Sequence, residues 1–182
     1  GERAVLVACH HPPLSADEKH GGARGLAEDI DKASERAGLR PDAVLSGHAH
    51  LYQRYTRTVG GAEIPYIVAG SGGHNVTAPQ ANAAGAKPPE GYALVGGPLL
   101  EYGYLTLTAD MSGAAPLLTI EFKPTARKSS KEAKQLEGDA VTVNLTTRKI
   151  VSGGASAGAT RRRAVRTPRV GAGGGARAVR RA

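Results

Sequence analysis

The sequence predicts an α/β fold, and three stretches carry that reading. "RAVLVAC" (3–9) is a continuous apolar run of strand length, the pattern of a central strand buried on both faces. "ARGLAEDIDKASERAG" (23–38) places Leu26, Ile30, Ala33 and Ala37 at spacings of four, three and four, which is one apolar stripe on a polar helix. "DAVLSG" (42–47) is a second short apolar strand. The order strand, helix, strand is that of a βαβ unit, whose strands deliver their C-terminal ends to one sheet edge.

The ends of these elements are marked by residues that stop them. Pro12 and Pro13 cannot donate ladder hydrogen bonds, so the first strand ends before them. Gly38 supplies a left-handed residue after the helix, and Pro41 prevents its continuation. Beyond residue 50 the period of the apolar residues changes. Residues 52–59 and 63–70 flank Gly60-Gly61 and predict a hairpin. Residues 102–110 alternate well, and 115–124 and 140–150 predict further strands. Residues 78–98 are rich in Ala, Gly and Pro and read as a long surface excursion; 126–138 reads as an exposed short helix or loop.

A chain of 182 residues is long enough for one domain with a real core. The net charge of +8 is unevenly placed: residues 1–150 hold sixteen basic and sixteen acidic residues, whereas 151–182 hold eight Arg and no acid. That tail also lacks Leu, Ile, Phe and Tyr, so it has nothing to bury and is expected to stay disordered. Its restricted alphabet reads like GC-rich DNA translated in a wrong frame. The domain is therefore placed at 1–150 and the tail at 151–182. An Arg-rich tail can hold phosphate backbones without sequence preference. This one has no aromatic residue for base stacking and follows a neutral body, so nucleic acid is not the expected partner. No run approaches the roughly 20 apolar residues that span a bilayer, and no membrane partner is expected. Cys9 is the sole cysteine. It and His10 are neighbours on an extended strand and point to opposite faces, which argues against a thiol–imidazole pair.

The six histidines carry the functional reading. His10 and His11 end the first predicted strand, and Gly47-His48-Ala49-His50 ends the second. Residues i and i+2 of an extended backbone project to the same side, so His48 and His50 could share one metal or serve two neighbouring ions. Spacing goes no further than a candidate transition-metal site. His20 and His74 read as surface residues of loops.

These residues resemble a known family. "VLVACHHPPLS" followed by "DAVLSGHAHLYQRYTR" is similar to the C-terminal half of the calcineurin-like metallophosphoesterases, and "GHAHLYQR" to their purple acid phosphatase branch. "IPYIVAGSGG" and "EYGYLTLTAD" resemble the strand, glycine loop and later strand that follow. The resemblance implies a four-layer α/β/β/α sandwich of which this chain is the C-terminal half. It also implies a metal-dependent hydrolase of phosphate esters working with two transition-metal ions (Fe, Mn or Zn). Carried over residue by residue, His10 and His48 hold one ion and His50 the other. His11 occupies the variable position before the proline, where a residue either lines the substrate cleft or packs. Tyr52 and Arg54 are structural.

The same family carries Asp-x-His, Gly-Asp-x-x-Asp and Gly-Asn-His-Asp/Glu elements before the His-x-Pro. None is found in this sequence. Three histidines for two ions leave one ion with two protein ligands and the other with one. The expectation is therefore a C-terminal fragment that is inactive alone, its main alternative being a non-catalytic protein that binds metal or, through the tail, nucleic acid.

Overall fold

Two sheets pack face to face, and a helix covers the far side of the first. The computed structural model describes residues 3–23, 25–80, 88–125 and 136–153. The Arg-rich tail from 154 onward and most of the 126–138 segment lie outside them. Strands β1 (Leu6–Cys9), β2 (Ala43–Ser46), β3 (Tyr52–Val59), β4 (Ala62–Ala69) and β5 (Tyr92–Leu99) make the first sheet, in the order β1-β2-β4-β3-β5. Strands β6 (Tyr102–Asp110), β7 (Leu117–Thr125), β8 (Asp139–Asn144) and β9 (Lys149–Ser152) make the second, in chain order and antiparallel throughout. Helix α1 (Leu26–Ala37) lies between β1 and β2 in sequence. Its C-terminus closes as expected: Gly38 has φ 60°, and the N–H groups of Gly38 and Leu39 reach the carbonyls of Glu35 and Ser34.

The core divides by face. Alternate residues of a strand point to opposite sides, so Ala43 and Ile67 meet Leu118, Ile120, Phe122 and Val141 of the second sheet. Their neighbours Val44 and Tyr66 join Ile30 of α1, Tyr55 and Ile64 on the other side. The layer order is helix, sheet, sheet, and α1 is the only α-helix among the described residues.

A buried ionic contact joins the two sheets. Arg54 of β3 is 2% exposed and makes a two-pronged pair with Asp139 of β8, Nε to Oδ2 at 2.7 Å and Nη2 to Oδ1 at 3.0 Å. The Tyr52 hydroxyl donates to the same Oδ2 at 2.6 Å, and its ring stacks on Phe122 at 4.3 Å. Burial, then the Asp139 charge, push the Tyr52 pKa far above its usual range. Gly96 of β5 makes room for this contact, because a side chain there would strike the Asp139 carboxylate. Tyr52 and Arg54 are thus inter-sheet clamps.

Four expectations need correction. The first strand is not buried on both faces. Among the described residues β1 is an edge strand, paired only with β2, and Leu6 is 41% exposed. Its apolar run reflects contacts on the helix side, where Val7 packs with Ile30. Residues 92–99, read as part of a surface excursion, form β5 against β3. The glycines that hid this strand are needed there: Gly97 has φ 78° at an irregular stretch of the ladder, and Gly96 faces Asp139. Residues 140–150 are two strands rather than one. The Asn144 side chain accepts the N–H groups of Thr146 and Thr147 and turns the chain, with Arg148 at φ 55°. The ladder then continues to Ser152, two residues beyond the expected boundary at 150.

Candidate metal centre

Three parallel strands end at one edge of the first sheet. β1 pairs with β2 in parallel register (Cys9 opposite Ser46), and β2 with β4 likewise. Each strand is followed by histidine. His10 and His11 follow β1, His48 and His50 follow β2, and His74 lies in the glycine loop after β4. The position is the one where open α/β sheets gather their sites.

The first two strand ends are tied together by the Gly47 N–H, which donates to the His10 carbonyl at 3.1 Å. His48 then adopts φ 62°, a left-handed conformation that His tolerates better than most residues but that still costs energy. The next turns are tight. Ala49 N–H reaches the Gly47 carbonyl at 2.7 Å and Leu51 N–H the Ala49 carbonyl at 2.8 Å, with Ala49 and Leu51 fully buried. Gly70 admits this folded segment, because a side chain there would collide with the Ala49 carbonyl.

That backbone changes the geometry expected of His48-x-His50. The pair is not extended, and the two rings separate. His48 joins His10 and His11: its Nδ1 is 3.1 Å from His10 Nε2, and its ring centroid is 5.0 Å from that of His10 and 4.2 Å from that of His11. One nitrogen from each of these three residues lies within 4.8 Å of the others. Among the described residues this is the group whose spacing suits a single ion. His50 is drawn instead toward His74, at 4.4 Å between centroids.

His20 stands between the two sets, 4.7 Å from His48 and 5.1 Å from His50. Its Nδ1 is paired with Oδ2 of Asp17, a carboxylate with no exposed surface. All six histidines therefore form one continuous chain of ring contacts. Crowding shows in the electrostatics. Burial and the neighbouring His11, His20, His10 and His50 together lower the His48 pKa, which favours the neutral, metal-ligating form.

The loop that carries His10, His11 and His20 is held from below. Gln53, fully buried on β3, accepts the Ala16 N–H at 3.0 Å and donates to the Ser15 hydroxyl at 2.7 Å. Asp17 bridges to Pro79, Gln80 N–H reaches the Ala16 carbonyl, and Thr77 N–H reaches the His50 carbonyl. Cys9 is the last residue of β1, beside this loop. Its thiol donates to the His11 carbonyl at 3.3 Å, and burial raises its pKa.

His20, His74 and Asp17 were not picked out from the sequence. The signal for His74 was the direction of β4: a third parallel strand must end at the same edge. The signal for His20 was Asp17 three residues before it in a loop stiffened by two prolines. Comparison with protein-family models, curated proteins and solved structures returns no match.

Proposed function

We propose that the chain binds a transition-metal cation through His10, His11 and His48 and uses it to hydrolyse phosphate esters, on the plan of the metallophosphoesterases. The observation that carries this reading is the convergence of three imidazole donors within 4.8 Å at the C-terminal edge of parallel strands. The order helix, sheet, sheet is compatible with three layers of that family's four-layer sandwich.

The donor set fits one ion. Three neutral nitrogens leave a fourth position open, as catalytic zinc sites do. The count of two ligands plus one, implied by the resemblance, set His11 aside as a cleft residue and led to the expectation of a chain inactive alone; with His11 included, a single ion has three protein ligands, and turnover by the chain itself is proposed on that ground. A divalent cation held there would supply Lewis acidity toward a phosphate oxygen and toward the attacking water. The protein's part is to hold and orient. The Gly47–His10 hydrogen bond fixes the spacing of the two strand ends, and the Gln53 contacts fix the loop bearing His11. Asp17 pairs with Nδ1 of His20 and fixes that ring against those of His48 and His50.

The test is turnover of p-nitrophenyl phosphate and bis(p-nitrophenyl) phosphate by the full chain with Mn²⁺ or Zn²⁺. The expected result is p-nitrophenol release above the metal-only background, falling to that background in His48→Asn. Asn also tolerates the left-handed backbone, so this variant removes a ligand without disturbing the turn. Wild-type protein that binds the metal and shows no turnover would overturn the proposal.

A further inference from the structure

We infer that the cleft between the two sheets, at the end of the strands opposite the histidines, is a binding site for a small primary ammonium ion with an aliphatic flank. Its volume is about 430 Å³, within the range of small-molecule sites. It is lined by Thr56 and Thr58 of β3, Glu63 of β4, Ala93 and Val95 of β5, and Ile150 of β9. None of these residues belongs to the metal centre, so the inference is independent of the proposed phosphate ester chemistry.

The cleft follows from side-chain size. Alternate residues of β3 face the second sheet, beginning with Tyr52 and Arg54. Those two are large and reach across, to Phe122 and Asp139. Thr56 and Thr58, next on the same face, are small, and Thr56 lies opposite Ala93 of β5. These side chains leave the gap between the sheets unfilled. The end wall is fixed by hydrogen bonds. The Glu63 N–H donates to the Arg148 carbonyl at 2.8 Å, and Glu63 Oε2 accepts the Ile150 N–H at 3.0 Å. β9 is thereby stitched to the start of β4.

The lining selects for a cation. Among the described residues Glu63 Oε1 has no hydrogen-bond or ion-pair partner, and no basic side chain lines the cleft. Arg148, beside the end wall, turns its guanidinium away to the Arg40 carbonyl at 2.7 Å and to Asp42. The Glu63 charge is left unneutralised, and it repels anions. The Thr56 hydroxyl is shielded from solvent and has no partner among the described residues, which costs free energy. A turn about χ1 presents that oxygen to a donor in the cleft. An ammonium has three donors and no acceptor, which matches one carboxylate oxygen and two hydroxyls. Ala93, Val95 and Ile150 offer apolar surface to the methylene groups behind it.

The experiment is an amide-shift NMR titration of the full chain with n-butylammonium, and with n-butanol and butanoate as its neutral and anionic counterparts. Circular dichroism confirms that each variant is folded. Saturable shifts are expected at the amides of Thr56, Thr58, Ala93 and Ile150. n-Butylammonium should bind roughly 10-fold tighter than n-butanol, as a hydrogen bond to a charged group implies, and butanoate should not bind. Glu63→Gln keeps an oxygen for the Ile150 N–H and removes the charge; it should bring n-butylammonium down to the level of n-butanol. Ala93→Phe fills the cleft from the opposite wall and should abolish binding of both. The inference is overturned if wild type shows no saturable shift at these amides, or if butanoate binds as well as n-butylammonium. It is equally overturned if Glu63→Gln keeps the preference for the ammonium, or if folded Ala93→Phe binds undiminished. Shifts confined to the acidic first turn of α1, at Glu28 and Asp29, are surface screening and overturn it too.

Discussion

Removing the Asp139 carboxylate should cost more stability than any other single change on the inter-sheet face. Asp139→Ala leaves the Arg54 guanidinium, 2% exposed, without its two-pronged partner, and strips the Tyr52 hydroxyl of its acceptor. Breaking a buried pair from one side typically costs about 3–5 kcal/mol, because the remaining charge stays desolvated. Asp139 is itself 18% exposed, so water reaches part of the gap and the expected loss is about 3 kcal/mol, at the low end of that range. Domains are stable by only about 5–15 kcal/mol, so the shift in a urea unfolding curve is large. A double variant, Arg54→Met/Asp139→Ala, removes the orphaned charge and should recover much of the loss. A single variant within about 1 kcal/mol of wild type, as for a surface ion pair, would refute the clamp. So would a double variant less stable than Asp139→Ala.

Other outcomes follow from the site. Gly70→Ala drives a methyl group into the Ala49 carbonyl; it should cost about 1–3 kcal/mol by overpacking and weaken Zn²⁺ binding by displacing the turn that carries His48, both readable by thermal melts with and without Zn²⁺. Gln53→Leu leaves the buried Ala16 N–H unpaired at about 1–3 kcal/mol, and faster amide exchange should be confined to residues 10–22. The lowered His48 pKa means that the folded metal-free protein binds fewer protons than the unfolded chain. Its stability contribution is then full above the unfolded-state value near 6.5 and falls as the pH drops below it. Melting temperatures in EDTA should decline between about pH 7.5 and 5.5, and His48→Asn should flatten that decline.

Residue pattern made the βαβ core legible because its signals are local. The stripe on α1, Gly38 at its end, and the Gly60-Gly61 hairpin each follow from a few neighbouring side chains, and each is found where the pattern puts it. β5 was not legible, because its sequence is shaped by what it packs against: Gly96 is small for the sake of Asp139, more than forty residues away. The edge position of β1 was hidden for a related reason, since an apolar run reports burial without saying which neighbours provide it. The site was half legible. His10 and His48 come together as the strand order suggests. The parting of His48 from His50 depends on one left-handed residue, which the extended-strand assumption could not contain. Bringing in His20 required Asp17, a partner visible only once the loop is folded.

The most direct test of the central claim is anomalous diffraction at the zinc edge from crystals of the full chain grown with Zn²⁺. The account predicts a strong peak within coordinating distance, about 2.0–2.1 Å, of one nitrogen from each of His10, His11 and His48. Crystals that show zinc only elsewhere, or no zinc between these three rings at saturating metal, would contradict it.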